Sequence, residues 1–65
     1  MVAMYHKNNI KSIREKQGLP QIELSAKADV SLTTLSRLEN GWIKLTDDVA
    51  AKLATALGVS PNKIK

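Results

Sequence analysis

Sixty-five residues without a cysteine make one small domain that no disulfide staples, and with His6 the sole histidine most metal sites are excluded as well. Ten Lys and Arg against six Asp and Glu leave a net charge of +4, which suits a polyanionic partner without demanding one. The apolar runs are far shorter than the ~20 residues that span a bilayer, and MVAMYHKNN lacks the apolar core of a signal peptide, so no membrane is expected and the expected compartment is the cytoplasm.

Residues 1–7 carry no periodic pattern and are expected to fray, leaving residues 8–65 as the domain. From Asn8 or Asn9, either of which can cap, Ile10, Ile13 and Gln17 fall at i, i+3 and i+7. This predicts a helix ending at Gly18, a residue that accepts positive φ. Leu19 anchors a loop, and Pro20 fixes φ where a second helix begins, carried by Gln21, Leu24 and Ala28. Asp29 and Val30 make a turn. Ser31 then caps a third helix, Leu32 to Asn40, with Leu35 and Leu38 as its inward edge and Gly41 as its stop.

Trp42 to Leu45 reads as a loop. Thr46 caps a fourth helix, with Asp47 and Asp48 in the first turn, where the helix dipole favours negative charge. Val49, Leu53, Ala56 and Leu57 form its apolar stripe, and Gly58 ends it. After Val59, Ser60 caps and Pro61 opens a final short helix, Asn62 to Lys65, that buries Ile64. Five short helices and no strand pattern define an all-α bundle.

The segment from Gln21 to Gly41 sets two short helices about a tight turn, and a helix projecting from such a unit has the dimensions of the DNA major groove. At 3.6 residues per turn, Thr33, Ser36, Arg37 and Asn40 share one side of that helix, opposite Leu35 and Leu38. Four stretches fall in order along the chain: IREKQGL from Ile13, QIEL from Gln21, VSLTTLSRLENG from Val30 and LATALGVS from Leu53. In order and spacing they resemble the helix-turn-helix domain of the phage repressor and Cro family.

The resemblance implies a lambda-repressor-like fold and a DNA-binding transcriptional regulator. It implies that Leu32, Thr33, Ser36 and Arg37 approach base edges, and that Gln21 and Asn40 meet the DNA backbone. Ser31 at the helix start and Lys44 in the following loop are further candidates for phosphate contact. Arg37 can donate two hydrogen bonds to guanine O6 and N7, a pairing worth ~1–3 kcal/mol of discrimination. Ser36 and Thr33 offer small donor-acceptor hydroxyls. Leu32 can touch a thymine methyl, and its place between the two faces equally allows packing. Family members also pair an arginine of the first helix with the glutamate ending the recognition helix, which here implies a partly buried, structural Arg14–Glu39 ion pair.

Several positions depart from the family pattern. Pro20 stands where a capping Ser or Thr is usual, Ser25 where Ala is, Asp29 where the turn Gly is, and Leu45 where Pro is. Trp42 replaces a usual Lys or Arg. Packing on the core is the expectation for its indole, with a partner subunit or the sugar-phosphate backbone as the other seats.

The family reading predicts a homodimer on a near-palindromic operator in double-stranded DNA, acting as a repressor by excluding polymerase, with no cofactor. Dimer contacts in similar domains would place Leu57 to Ile64 at the subunit interface. The alternatives are an antitoxin or other protein-interaction module of a toxin–antitoxin pair, and a restriction-modification controller; an exposed apolar patch at Trp42 and Ile43 would favour a protein partner. An enzyme is not expected: one His, no Cys, no glycine-rich phosphate loop and no clustered carboxylates leave nothing to assemble a catalytic or metal site.

Overall fold

Five helices carry the chain in the computed structural model, which describes residues 5–65. They are α1 (Ile10–Lys16), α2 (Gln21–Ala28), α3 (Leu32–Glu39), α4 (Asp47–Leu57) and α5 (Pro61–Ile64), the all-α order that the sequence predicts, with ends displaced by one or two residues. Among the described residues no helix is long and apolar enough to cross a membrane.

Local chemistry accounts for the boundaries. The two asparagines before α1 have different partners. Asn8 Oδ1 accepts the Ile10 N–H at 3.1 Å, whereas Asn9, at the cap position, turns to α5. Its side chain donates to the Lys63 carbonyl at 3.1 Å and its backbone N–H to the Ile64 carbonyl at 2.9 Å. Ser31 Oγ accepts the Thr34 N–H at 3.0 Å, and Thr46 Oγ1 accepts the Val49 N–H at 3.4 Å. Pro20 gives α2 no side-chain cap, as its chemistry dictates. Asp29 adopts the left-handed conformation at φ +56°, the one non-glycine among the described residues to do so. Asp tolerates that region better than most residues because its short side chain bonds locally.

Every helix contributes to one core, in which Ile10, Leu24, Leu35, Leu38, Leu53 and Ile64 are fully buried. α4 packs on α1, α2 and α5, and α2 packs on α3. The buried stripe of α4 is Ala50, Leu53, Ala54 and Leu57, whereas the predicted Val49 and Ala56 are only half-buried. Alanines at 50 and 54 let α4 lie close to its neighbours, and Val49 and Ala56 then flank the seam. Leu57 and Ile64 are spent inside this core, so their side chains are not free to form the subunit interface expected of them.

The N-terminal expectation needs revision in part. Residues 1–4 lie outside the described residues. Of the rest, His6 N–H donates to the Gly41 carbonyl at 2.9 Å, and the Tyr5 ring lies directly over Gly41. Asn8 Nδ2 donates to the Leu38 carbonyl at 2.7 Å. Residues 5–8 are thus tied to the end of α3 rather than frayed, because terminal helix carbonyls are left without intrahelical donors and this segment brings some.

At the start of α4, Lys65 Nζ meets Asp47 Oδ1 at 3.0 Å. The hydrogen bond from Lys65 holds the Asp47 carboxyl below its ordinary range. Any stability it adds is present above that range and is lost as pH falls through the lowered value. The carboxylate is fully exposed, so the contribution is small.

Candidate nucleic-acid interface

α3 is held to the body by its own last residue. The Glu39 carboxylate, with a side chain only 2% exposed, accepts Arg14 Nε at 2.7 Å and Arg14 Nη2 at 3.1 Å. It also accepts Gln21 Nε2 at 2.8 Å. Arg14 completes its fork by donating Nη1 to the Leu19 carbonyl at 2.9 Å. One cluster therefore joins α1, the α1–α2 loop, the start of α2 and the end of α3. The Glu39 hydrogen bond pushes the Arg14 pKa further up, against a smaller opposing effect of burial, so the guanidinium stays charged at any ordinary pH.

Ser25 is buried on α2, and its hydroxyl donates to the Ile22 carbonyl at 2.8 Å. The extra oxygen relative to alanine is satisfied within its own helix and needs no partner from α3.

With its inner edge packed and its end clamped, α3 turns its polar side to solvent. Thr33, Arg37 and Asn40 are exposed, Ser36 is half-exposed, and Leu32 is 43% exposed. Leu32 therefore does not pack as a core residue, and its methyls are available at the helix start. Ser31 is exposed with its hydroxyl committed, donating to Thr34 Oγ1 at 2.8 Å while capping the helix. Asn40 Nδ2 donates one hydrogen to the Ser36 carbonyl at 2.9 Å, and Gln21 gives one to Glu39. Each amide keeps a second N–H beyond the one it has used. Lys44 is exposed in the loop beyond. The structure thus gathers Gln21, Arg14 and Glu39 into one bonded unit, while Leu32, Thr33, Ser36, Arg37 and Asn40 share the outer side of α3.

α3 ends in a tight reversal. Gly41, at φ +75°, donates its N–H to the Leu38 carbonyl at 3.0 Å, and the Trp42 N–H reaches back to the Arg37 carbonyl at 3.0 Å. This paired pattern requires a left-handed residue at position 41, and a Cβ there would collide with the Tyr5 ring. The reversal directs Trp42 outward. Its residue is 62% exposed, contrary to the expected core packing, because Ile43 and Leu45 take the seats this loop offers in the core. The roles of Tyr5, His6 and Asn8 at the end of α3 were not foreseeable from periodicity; Asn8 carried a capping signal only.

Residues 10–64 match the profile of the helix-turn-helix family. Among solved structures, the restriction-modification controller protein C.AhdI from Aeromonas hydrophila is similar with a TM-score of 0.81 at 25% identity, over 85% of this chain and 83% of that one. The clp gene regulator ClgR from Corynebacterium glutamicum is similar at 32% identity with a TM-score of 0.77. That match spans 82% of this chain and 69% and 56% of the chains in two ClgR crystal structures. No curated protein sequence matches the chain.

Proposed function

The chain belongs to the helix-turn-helix family, of the Cro/C1 DNA-binding type, and from that premise we propose that it is a sequence-specific transcriptional regulator in the cytoplasm, acting as a repressor. A homodimer places two copies of α3 in successive major grooves of a near-palindromic operator, with half-sites ~34 Å apart. The observation that carries this reading is the division of α3. Its end is locked by Glu39 to α1 and α2, while Thr33, Ser36 and Arg37 stand on its solvent side. A rigid rod with an open donor face is suited to base edges, and binding rather than catalysis is the activity.

Selection of binding sites from random duplex DNA tests it. Arg37→Ala is expected to relax preference at one base pair per half-site, at a cost of ~1–3 kcal/mol for the preferred base. An identical enriched motif for the variant would remove Arg37 from the base-reading set. Gln21→Ala and Asn40→Ala should instead weaken binding to all duplexes by similar factors, measured by anisotropy on the selected site and a scrambled one. Loss confined to one sequence would contradict their assignment to phosphates.

A restriction-modification controller is the second reading, favoured by the likeness to C.AhdI. Restriction and modification genes beside this one, with the selected motif upstream of them, would specify that role. The antitoxin reading draws on an apolar patch at Trp42 and Ile43, and Ile43 packs against the core. A gene for a small toxin next door, with a stable complex between the two products, would reinstate it.

A further inference from the structure

The reversal after α3 presents Trp42 to solvent rather than to the core. Four large apolar residues are exposed among those described: Tyr5, Ile22, Leu32 and Trp42. None of them belongs to α4 or α5; Leu32 opens α3, Trp42 follows its end, and Tyr5 lies over Gly41. Trp42 itself lies between Asn40 and Lys44, two candidate phosphate contacts. Its backbone is fixed by the hydrogen bond to the Arg37 carbonyl, one turn from the candidate guanine reader, and Tyr5 seals the glycine behind it. The indole N–H can only donate.

Resting on the DNA-binding reading above, we infer that Trp42 is a contact to the sugar-phosphate backbone at the edge of each half-site. Its ring covers a deoxyribose and its Nε1–H donates to a phosphate oxygen. An indole has the right form for this seat, apolar along the ring and polar at one edge. Such a contact carries no charge. The contact therefore adds affinity without releasing a counterion and leaves the salt dependence of binding unchanged.

The experiment uses the intact chain and a fluorescein-labelled duplex carrying the selected motif, with anisotropy and the emission of Trp42, the sole tryptophan, followed in one titration. Emission should change in step with anisotropy. Trp42→Ala should weaken binding roughly tenfold per half-site, the worth of one hydrogen bond to a charged group, at an unchanged slope of log K against log salt. Trp42→Phe should recover the ring's part alone. Trp42→Lys should restore affinity at low salt and steepen the slope by about 0.9 per subunit. Duplex binding with silent tryptophan emission and an unaffected alanine variant overturns the inference and leaves the regulator reading standing. Emission that responds to protein concentration without DNA overturns it in favour of an interface between copies. Absence of any duplex binding by the parent protein overturns both.

Discussion

Glu39→Ala should leave the domain largely unfolded at 25 °C, the largest effect of any single substitution outside the core. The carboxylate is almost completely buried and receives three hydrogen bonds, two of them from a guanidinium that is itself only 10% exposed. Removing it strands the Arg14 charge in a pocket with the Leu19 carbonyl as its remaining partner. Breaking such a pair costs ~3–5 kcal/mol. A single core in a chain of this size rarely supplies more than ~3–5 kcal/mol in total, so the loss and the reserve are comparable. Where folding survives, the melting temperature followed by circular dichroism should fall by well over 10 °C, at roughly 4–8 °C per kcal/mol for a domain this small. Arg14→Ala should do nearly as much. Pairing Arg14→Met with Glu39→Leu should restore much of the stability, because an apolar pair of similar volume needs no desolvation of charge. A shift of only a few degrees for Glu39→Ala would mean that water reaches the pair and that α3 is held by its leucines alone.

That cluster also marks where the sequence stops being legible by itself. The helices could be placed from local chemistry: glycines at 18, 41 and 58 take positive φ, Ser31 and Thr46 cap, and Pro61 opens α5. Arg14 and Glu39 lie 25 residues apart and carry no local signal for each other; only the resemblance to repressors joined them. The tie from Asn8 to Leu38 spans 30 residues and had no such guide. The α4 stripe read from the sequence lacks Ala50 and Ala54 for a different reason. Alanine is weakly apolar and small, so Ala50 and Ala54 competed poorly with Val49 in a count of hydrophobic positions, whereas close helix packing selects them. Trp42 was misjudged because bulk and apolarity argue for burial, while the direction of the chain after Gly41 is set by backbone hydrogen bonds that composition does not encode.

The salt dependence of binding should be shallower than a dimer of this family would suggest from its size. A dimer that neutralises six to ten phosphates loses ~10³–10⁵ in affinity between 50 and 200 mM salt. In this interface, however, most candidate backbone contacts are uncharged: Gln21, Ser31 and Asn40 offer amide or hydroxyl groups, and Trp42 an indole N–H. Lys44 is the one charged residue among the candidate phosphate contacts, which gives about two phosphate-neutralising cations per dimer and a slope near −1.8. Over that fourfold rise in salt the affinity should fall by roughly tenfold. Fluorescence anisotropy on one duplex across a salt series measures it, and Lys44→Gln should flatten the slope by about 0.9 per subunit. A slope steeper than about −5 would bring Lys11 and Lys16 of α1 against the backbone and enlarge the interface beyond α2, α3 and the loop. A flat response would remove duplex DNA as the partner, since a polyanion cannot be bound by these cations without releasing its counterions.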